Sequence, residues 1–441
     1  MASFPPPDQS LGRTLYRMTW PMVFGVLALM GYQLVDSIYI SMLGTEPLAA
    51  LGFTVAVNQL SIGIQVGLGI AATALISRAL GAGDPGRARK LGSIVLAGGA
   101  AIMGALCVLT WIIRDPILRL LDADPALWPL VARYWAPWLL SIWLGAIAYF
   151  AYSIARAQGN TRLPGTVMVI TSILNIILDP VFIFGFGWGL PGAAWATTVA
   201  FLAGIAIMGR SIHRYHWVSH RNLKAALRPA LRDLGAISGP AIISQLMPGI
   251  AAMAATRIVA GFGAAAVAAW ALGTRLEFFS IVVVLALTMS VPPMVGRLIG
   301  ARDVATMHHL IRLAVRFTLL LQFAIALIWI VLSFFLPGAL SADPQVAGYL
   351  RTWLLLVPLS YGALGTCMIM VSVSNAMGMP LRAVLISLLR LFAFYLPAVW
   401  LGARVAGMNG VFAGVLLGNI AAGVVSWLIY RQAIDRLAHP R

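Results

Sequence analysis

Charge is scarce in this chain. Asp, Glu, Lys and Arg make up 10% of its 441 residues, whereas 61% are hydrophobic. A soluble globular domain averages about 25% charged and about 45–50% apolar residues. Acid is the scarcer sign, with 13 Asp and Glu against 30 Lys and Arg. Cysteine is nearly missing: Cys107 and Cys367 both lie in apolar runs, which excludes a disulfide framework and leaves two small buried hydrophobes. The six histidines fall mostly in polar stretches (His213, His216, His220, His308, His309 and His439) with no cysteine beside them. No resident metal or other cofactor is therefore expected. The motifs HExxH, GxSxG and GxxxxGK[ST] are absent, so neither a membrane-embedded enzyme nor an ATP-driven pump is indicated.

What the chain does have is long apolar runs. They lie at roughly 15–43, 48–78, 91–113, 128–156, 163–186, 191–213, 233–262, 267–298, 308–337, 346–376, 381–403 and 409–431. About 20 apolar residues span a bilayer as a helix, and the runs do not alternate as barrel strands would. An all-α integral membrane protein with twelve transmembrane helices follows. The connections holding Arg13 and Arg17, Arg87 to Lys90, Arg162, Arg221 to Arg232, Arg302, and Arg436 with Arg441 all fall on one side. The other side carries Glu46, Asp115, Asp122, Asp124 and Asp343 against Arg114, Arg119 and Arg404. This asymmetry predicts a multi-pass chain with both termini in the cytoplasm. It also accounts for the net charge of +17 without any nucleic-acid partner.

The chain repeats itself at a displacement of 219 residues. Pro21 matches Pro240 and Gly44 matches Gly263; "RALGAGD" at 78–84 matches "RLIGARD" at 297–303. "ADP" recurs at 123–125 and 342–344, Ala157 and Gly159 match Ala376 and Gly378, and "GLPG" at 189–192 matches "GMNG" at 407–410 with a slip of one. Each half holds six helices, so the halves insert the same way up and are related by an axis along the membrane normal. The expected organisation is a tail at 1–14, a first lobe at 15–213, a cytoplasmic linker at 214–232, a second lobe at 233–431 and a tail at 432–441. Two pseudo-symmetric six-helix lobes facing a cavity suit a transporter that rocks between inward and outward states.

The polar residues inside the spans are not repeated. Asp36 corresponds to Ala255, Asp179 to Ala398 and Asn175 to Phe394. A carboxylate at mid-membrane costs about 2.5–3.5 kcal/mol on insertion scales and normally faces a bundle interior. Asp36, Asp179, Thr197 and Tyr134 each lie about two turns, or about 9–11 Å, below the outer ends of their helices. Asn175 stands one turn deeper than Asp179 on the same face, and Tyr32 one turn below Asp36. Two carboxylates close together cannot both ionise cheaply, which makes one a proton carrier. The same oxygens could instead surround Na⁺, and a satisfied polar knot between helices is the third reading. Pro21 favours a kink, static or gating, in the first helix. In the second lobe Arg275 and Glu277 point apart, which makes Arg257 the expected partner of Glu277. Gln245, Asn375 and Asn419 are further residues that could line a cavity.

Three stretches carry a family resemblance: "LNIILDPVFIFGFGWGLPGAAWATT" at 174–198, "VDSIYISMLGTEPLAALG" at 35–52 and "RLEFFSIVVVLALTMSVPPMVGRLIGA" at 275–301. They resemble the multidrug and toxic compound extrusion (MATE) transporters. The resemblance implies a monomeric two-lobe exporter of cationic or amphipathic drug-like molecules, driven by H⁺ or Na⁺. It implies a coupling-ion site at Asp36, Asn175, Asp179 and Thr197, with Pro21, Tyr32 and Tyr134 around the same lobe. The NorM-type branch also has acids in its seventh and tenth helices; here the seventh holds Gln245 and the tenth has none, which is closer to the DinF-like arrangement. A flippase for lipid-linked saccharides, from the related superfamily, is the alternative, but it would line its cavity with cations.

Overall fold

Hydrocarbon offers the backbone no partner, so a spanning segment must satisfy its own N–H and C=O groups. The computed structural model describes residues 10–121, 124–219 and 223–438, which are helical nearly throughout, with no strand among them. Eleven helices among these residues are long and apolar enough to cross a membrane. The last, Pro380–Arg436, breaks at Ala406 and Gly407, whose dihedrals are not helical. It therefore makes two passes, and the twelve predicted spans are all present. The eighth is two helices, Ala264–Ser280 and Val282–Gly300, that meet at Ile281.

The boundaries differ from expectation where charge was read as the end of a helix. The predicted linker is helical from Leu223, because that residue opens the long helix Leu223–Ala260. Lys224, Arg228 and Arg232 sit four apart along its first turns and are exposed, so one helical face carries all three. Helix also takes in the end of the predicted N-terminal tail, from Leu11, and the predicted C-terminal tail up to Ala438. Charge marks where hydrocarbon stops, not where the backbone stops being helical. Residues 1–9 and 439–441, with His439 and Arg441, lie outside the described residues, as do Asp122, His220 and Arg221. His308 and His309, assigned to a polar stretch from the sequence, stand in the first turns of the helix Val304–Leu332.

The repeat is visible in the backbone. Gly44 and Gly263 have φ of 109° and 98°, Gly159 and Gly378 have 82° and 76°, and Gly189 and Gly407 have 58° and 59°. Asp84 caps the helix Pro85–Ile112 by accepting from the Arg87 N–H at 2.8 Å, and Asp303 does the same for Thr306 at 3.0 Å. Side-chain caps of this kind satisfy N–H groups that a helix start leaves open. One pair is uneven: Gly83 has φ 80°, while its match Arg302 has φ 59°. A residue with a Cβ pays about 1–2 kcal/mol there. Arg302→Gly is accordingly expected to raise the apparent melting temperature by about 2–4 °C. A lower melting temperature would show that Arg302 is not strained.

Contacts divide the chain into two compact units, one from Tyr16 to Ile242 and the other from Ile243 onward together with the opening turn of the first helix. The first has an aromatic core around Trp135, Tyr134, Trp138, Ile183 and Leu190. The second packs Trp353 edge-on against Trp270 and Phe412, with ring centroids 5.1 and 5.6 Å apart. Gly273 lies directly on the Trp353 ring, with no room for a Cβ.

Candidate ion site in the first unit

The fifth membrane helix, Arg162–Gly185, is built around a proline. Pro180 has no N–H to give and its ring crowds the preceding turn. Directly after it the helix widens into a π-turn over Val181–Gly185, closed by the Phe186 N–H donating to the Val181 carbonyl at 2.8 Å. Such turns are rare and gather at functional sites. Asp179 stands just before Pro180 and is fully buried.

Glycines set how close the neighbouring helices come. Gly192, at the start of the helix Leu190–Arg214, faces the Phe182 carbonyl, which would lie 2.7 Å from a Cβ; Gly204 faces the Thr171 methyl at 2.8 Å. Between these contacts Thr197 reaches Asn175. The Asp179 carboxylate beside Asn175 can only accept, so the amide nitrogen must face it. In that orientation Asn175 Nδ2 donates to Asp179 Oδ2 at 3.0 Å, and its oxygen accepts from the Thr197 hydroxyl at 3.0 Å and from the Thr197 N–H at 3.2 Å. The single hydroxyl proton of Thr197 is shared with the Ala193 carbonyl, also at 3.0 Å.

Asp36 comes from the first helix, Leu11–Ser41. It is within Coulomb reach of Asp179, of Tyr32 and of Tyr134. Tyr134 is buried, while Asp36 and Tyr32 are half-buried. One oxygen of each acid, Oδ1 of Asp36 and Oδ1 of Asp179, is shut off from solvent and finds no donor among the described residues. The helix runs unbroken through Pro21. There the Pro21 carbonyl rests on Gly165 of the fifth helix, and Gly25 faces the Gly165 backbone with 3.3 Å to a Cβ. Gly165→Val is therefore expected to cost about 1–3 kcal/mol by overpacking. It should lower the melting temperature well below that of Gly98→Val, since Gly98 has open space around it. Equal melting temperatures would show that this helix crossing is loose.

Six of the nine residues singled out in the sequence thus share one region of the first unit: Asp36, Asn175, Asp179, Thr197, Tyr32 and Tyr134. Pro21 lies on the same first helix, four turns away. Gln245 and Glu277 belong to the second unit. Gln245 is exposed. The charge acting on Glu277 is Arg390, not Arg257, and no ion pair within 4.0 Å joins Glu277 to either among the described residues. Asn419 donates to the Ser360 hydroxyl at 3.0 Å inside that unit, and both polar atoms of buried Asn375 are unpartnered. Tyr152 was missed. It is buried and within reach of Tyr32, and its spacing of five turns from Tyr134 puts the two on one helical face.

A protein-family model described as MatE matches residues 21–181 and again residues 240–401. The second match starts 219 residues after the first, at the displacement of the internal repeat. The chain belongs to the MatE family. Its relatives include a protein of Shewanella oneidensis named "FAD transporter", 30% identical over 96% of this chain and 95% of that one. A Staphylococcus aureus protein named "Multidrug export protein MepA" is 24% identical over 96% of this chain and 94% of its own length. The Vibrio cholerae MATE transporter VcmN, solved in a bent form, superposes with a TM-score of 0.95 at 49% identity, covering 97% of this chain and 98% of that one. This MATE protein is an efflux transporter of two-lobe architecture.

Proposed function

We propose that the chain is a secondary active multidrug antiporter. It exports cationic or amphipathic small molecules in exchange for H⁺ or Na⁺ held at Asp36, Asn175, Asp179 and Thr197. The observation that carries this reading is the pair of carboxylate oxygens, buried and without donors, in one unit within Coulomb reach of each other. Two bare acids repel, and their repulsion ends when a cation sits between them. Asn175 fixes Asp179 from one side, leaving its other oxygen for the guest. Binding thus draws Asp36, and the first helix with it, toward the fifth helix. Tyr32 and Tyr134 wall the site, and Pro21 is the point at which the first helix flexes. Gln245 and Glu277 contribute to the drug path from the second lobe. The exchange takes place in the inner membrane of a bacterium, with both termini cytoplasmic and the chain acting as a monomer.

Proteoliposomes test the reading. A fluorescent lipophilic cation should be moved by an imposed ΔpH or an imposed ΔNa⁺, each applied alone. Transport that answers to neither gradient would exclude coupled antiport. The kinship with a protein named an FAD transporter supports a second substrate class, flavin dinucleotides, and FAD belongs in the same assay.

A further inference from the structure

The second unit, taken by itself, contains a groove of about 420 Å³ between the helix Val304–Leu332, the helix Tyr361–Ala376 and the last pass of the chain. Its floor follows from a glycine. A Cβ on Gly423 would stand 2.8 Å from that of Ala363, so the two helix backbones touch there and the flanking side chains rise as walls. Leu319, Ile420 and Val424 line the apolar part, and all three are exposed. Arg312, Arg316 and Trp427 line one end. Both arginines are exposed and make no ion pair among the described residues.

The end with the arginines lies at the membrane boundary. From Phe317 to Ala342 the sequence holds no charged residue, and about 20 such residues span the hydrocarbon. Arg316 is therefore the last charge before the apolar core, and Arg312 lies one turn farther out. Helical side chains lean back toward the N-terminus, so both guanidinium groups extend outward along the groove. An aromatic cluster marks the same level. His308 Nδ1 is 3.0 Å from the Tyr430 hydroxyl, and the Trp427 and Tyr430 ring centroids are 5.3 Å apart. Trp and Tyr collect at membrane interfaces. The other charges around His308 are His309, Arg431 and one acid, Asp435. The site is thus basic at the boundary and greasy below it.

We propose that this groove binds an anionic phospholipid from the leaflet on the basic side of the protein. The phosphate sits between Arg312 and Arg316, whose planar forks match its oxygens. One acyl chain lies along Leu319, Ile420 and Val424. A free phosphate would use the arginines and leave the apolar walls unused, so the two sources separate by experiment.

Native mass spectrometry of the full-length, delipidated protein, titrated with phosphatidylglycerol and with phosphatidylcholine of matched chains, is the test. Phosphatidylglycerol should bind about 30-fold more tightly, as two basic groups near an anionic headgroup imply. Arg312→Gln/Arg316→Gln should erase that preference, Arg312→Lys/Arg316→Lys should retain part of it, and excess inorganic phosphate should not displace the lipid. Equal binding of the two lipids by the unmodified protein would overturn the proposal, whether or not the variants fold. So would an undiminished preference in the glutamine variant, or displacement by phosphate.

Discussion

Asp36→Asn is expected to abolish drug export while leaving abundance and membrane insertion unchanged. The substitution keeps the size of the side chain and removes its ability to take a proton or balance a cation. Asp36 Oδ1 has no donor among the described residues, so no hydrogen bond is lost at that atom. The change acts on the charge between Asp36 and Asp179, which in this mechanism is what the coupling ion relieves. A purely structural polar group would behave differently, because its loss shows as reduced stability with export in proportion to the protein that remains. Efflux of a fluorescent cation from cells, normalised to membrane-inserted protein, separates the two. Normal efflux per molecule would remove Asp36 from the mechanism.

Asn175→Leu should be nearly as severe, for a different reason. Asn175 is the donor to Asp179 Oδ2, at 3.0 Å, and its oxygen is held twice by Thr197. Hydrogen bonds to charged groups are worth about 1.5–3 kcal/mol, so the affinity for the coupling ion should change by about 10- to 100-fold. Leucine removes the one donor that Asp179 has among the described residues and lets its side chain swing. The dependence of transport on the driving-ion concentration should shift, at unchanged drug affinity. Asn419→Leu is the control, since Asn419 donates to the Ser360 hydroxyl in the second unit. It should lower the melting temperature without moving the ion dependence. An Asn175 variant with the ion dependence of the unmodified protein would mean that Asp179 is positioned by something else.

Much of the fold was legible because membrane helices write themselves in composition. Twelve apolar runs mapped onto twelve passes, and the repeat marked the same caps and left-handed turns that the backbone shows, from Asp84 and Asp303 to Gly44 and Gly263. The association of Asn175, Asp179 and Thr197 was legible too, through a four-residue spacing and a shared depth. What the sequence hid were features set by local backbone geometry. The π-turn after Pro180 is one of them, since nothing in the residue pattern distinguishes it from an ordinary kink. The break at Ile281 has no Gly or Pro to announce it. Arg390 as the charge acting on Glu277 depends on which helices pack together, and spacing along the chain is silent on that. Tyr152 escaped because hydroxyl groups are common in membrane helices, and a depth criterion drawn at Tyr134 passed over a residue five turns away.

Ion binding to the purified protein decides whether the two carboxylates hold the coupling cation. Radioactive sodium retention and proton release on adding a lipophilic cation can be read on the same preparation, for the unmodified chain and for Asp36→Asn/Asp179→Asn. The unmodified chain should show one of the two signals, competed by the drug, and the double variant should show neither. A double variant that binds sodium or releases protons as the unmodified chain does would place the coupling ion elsewhere.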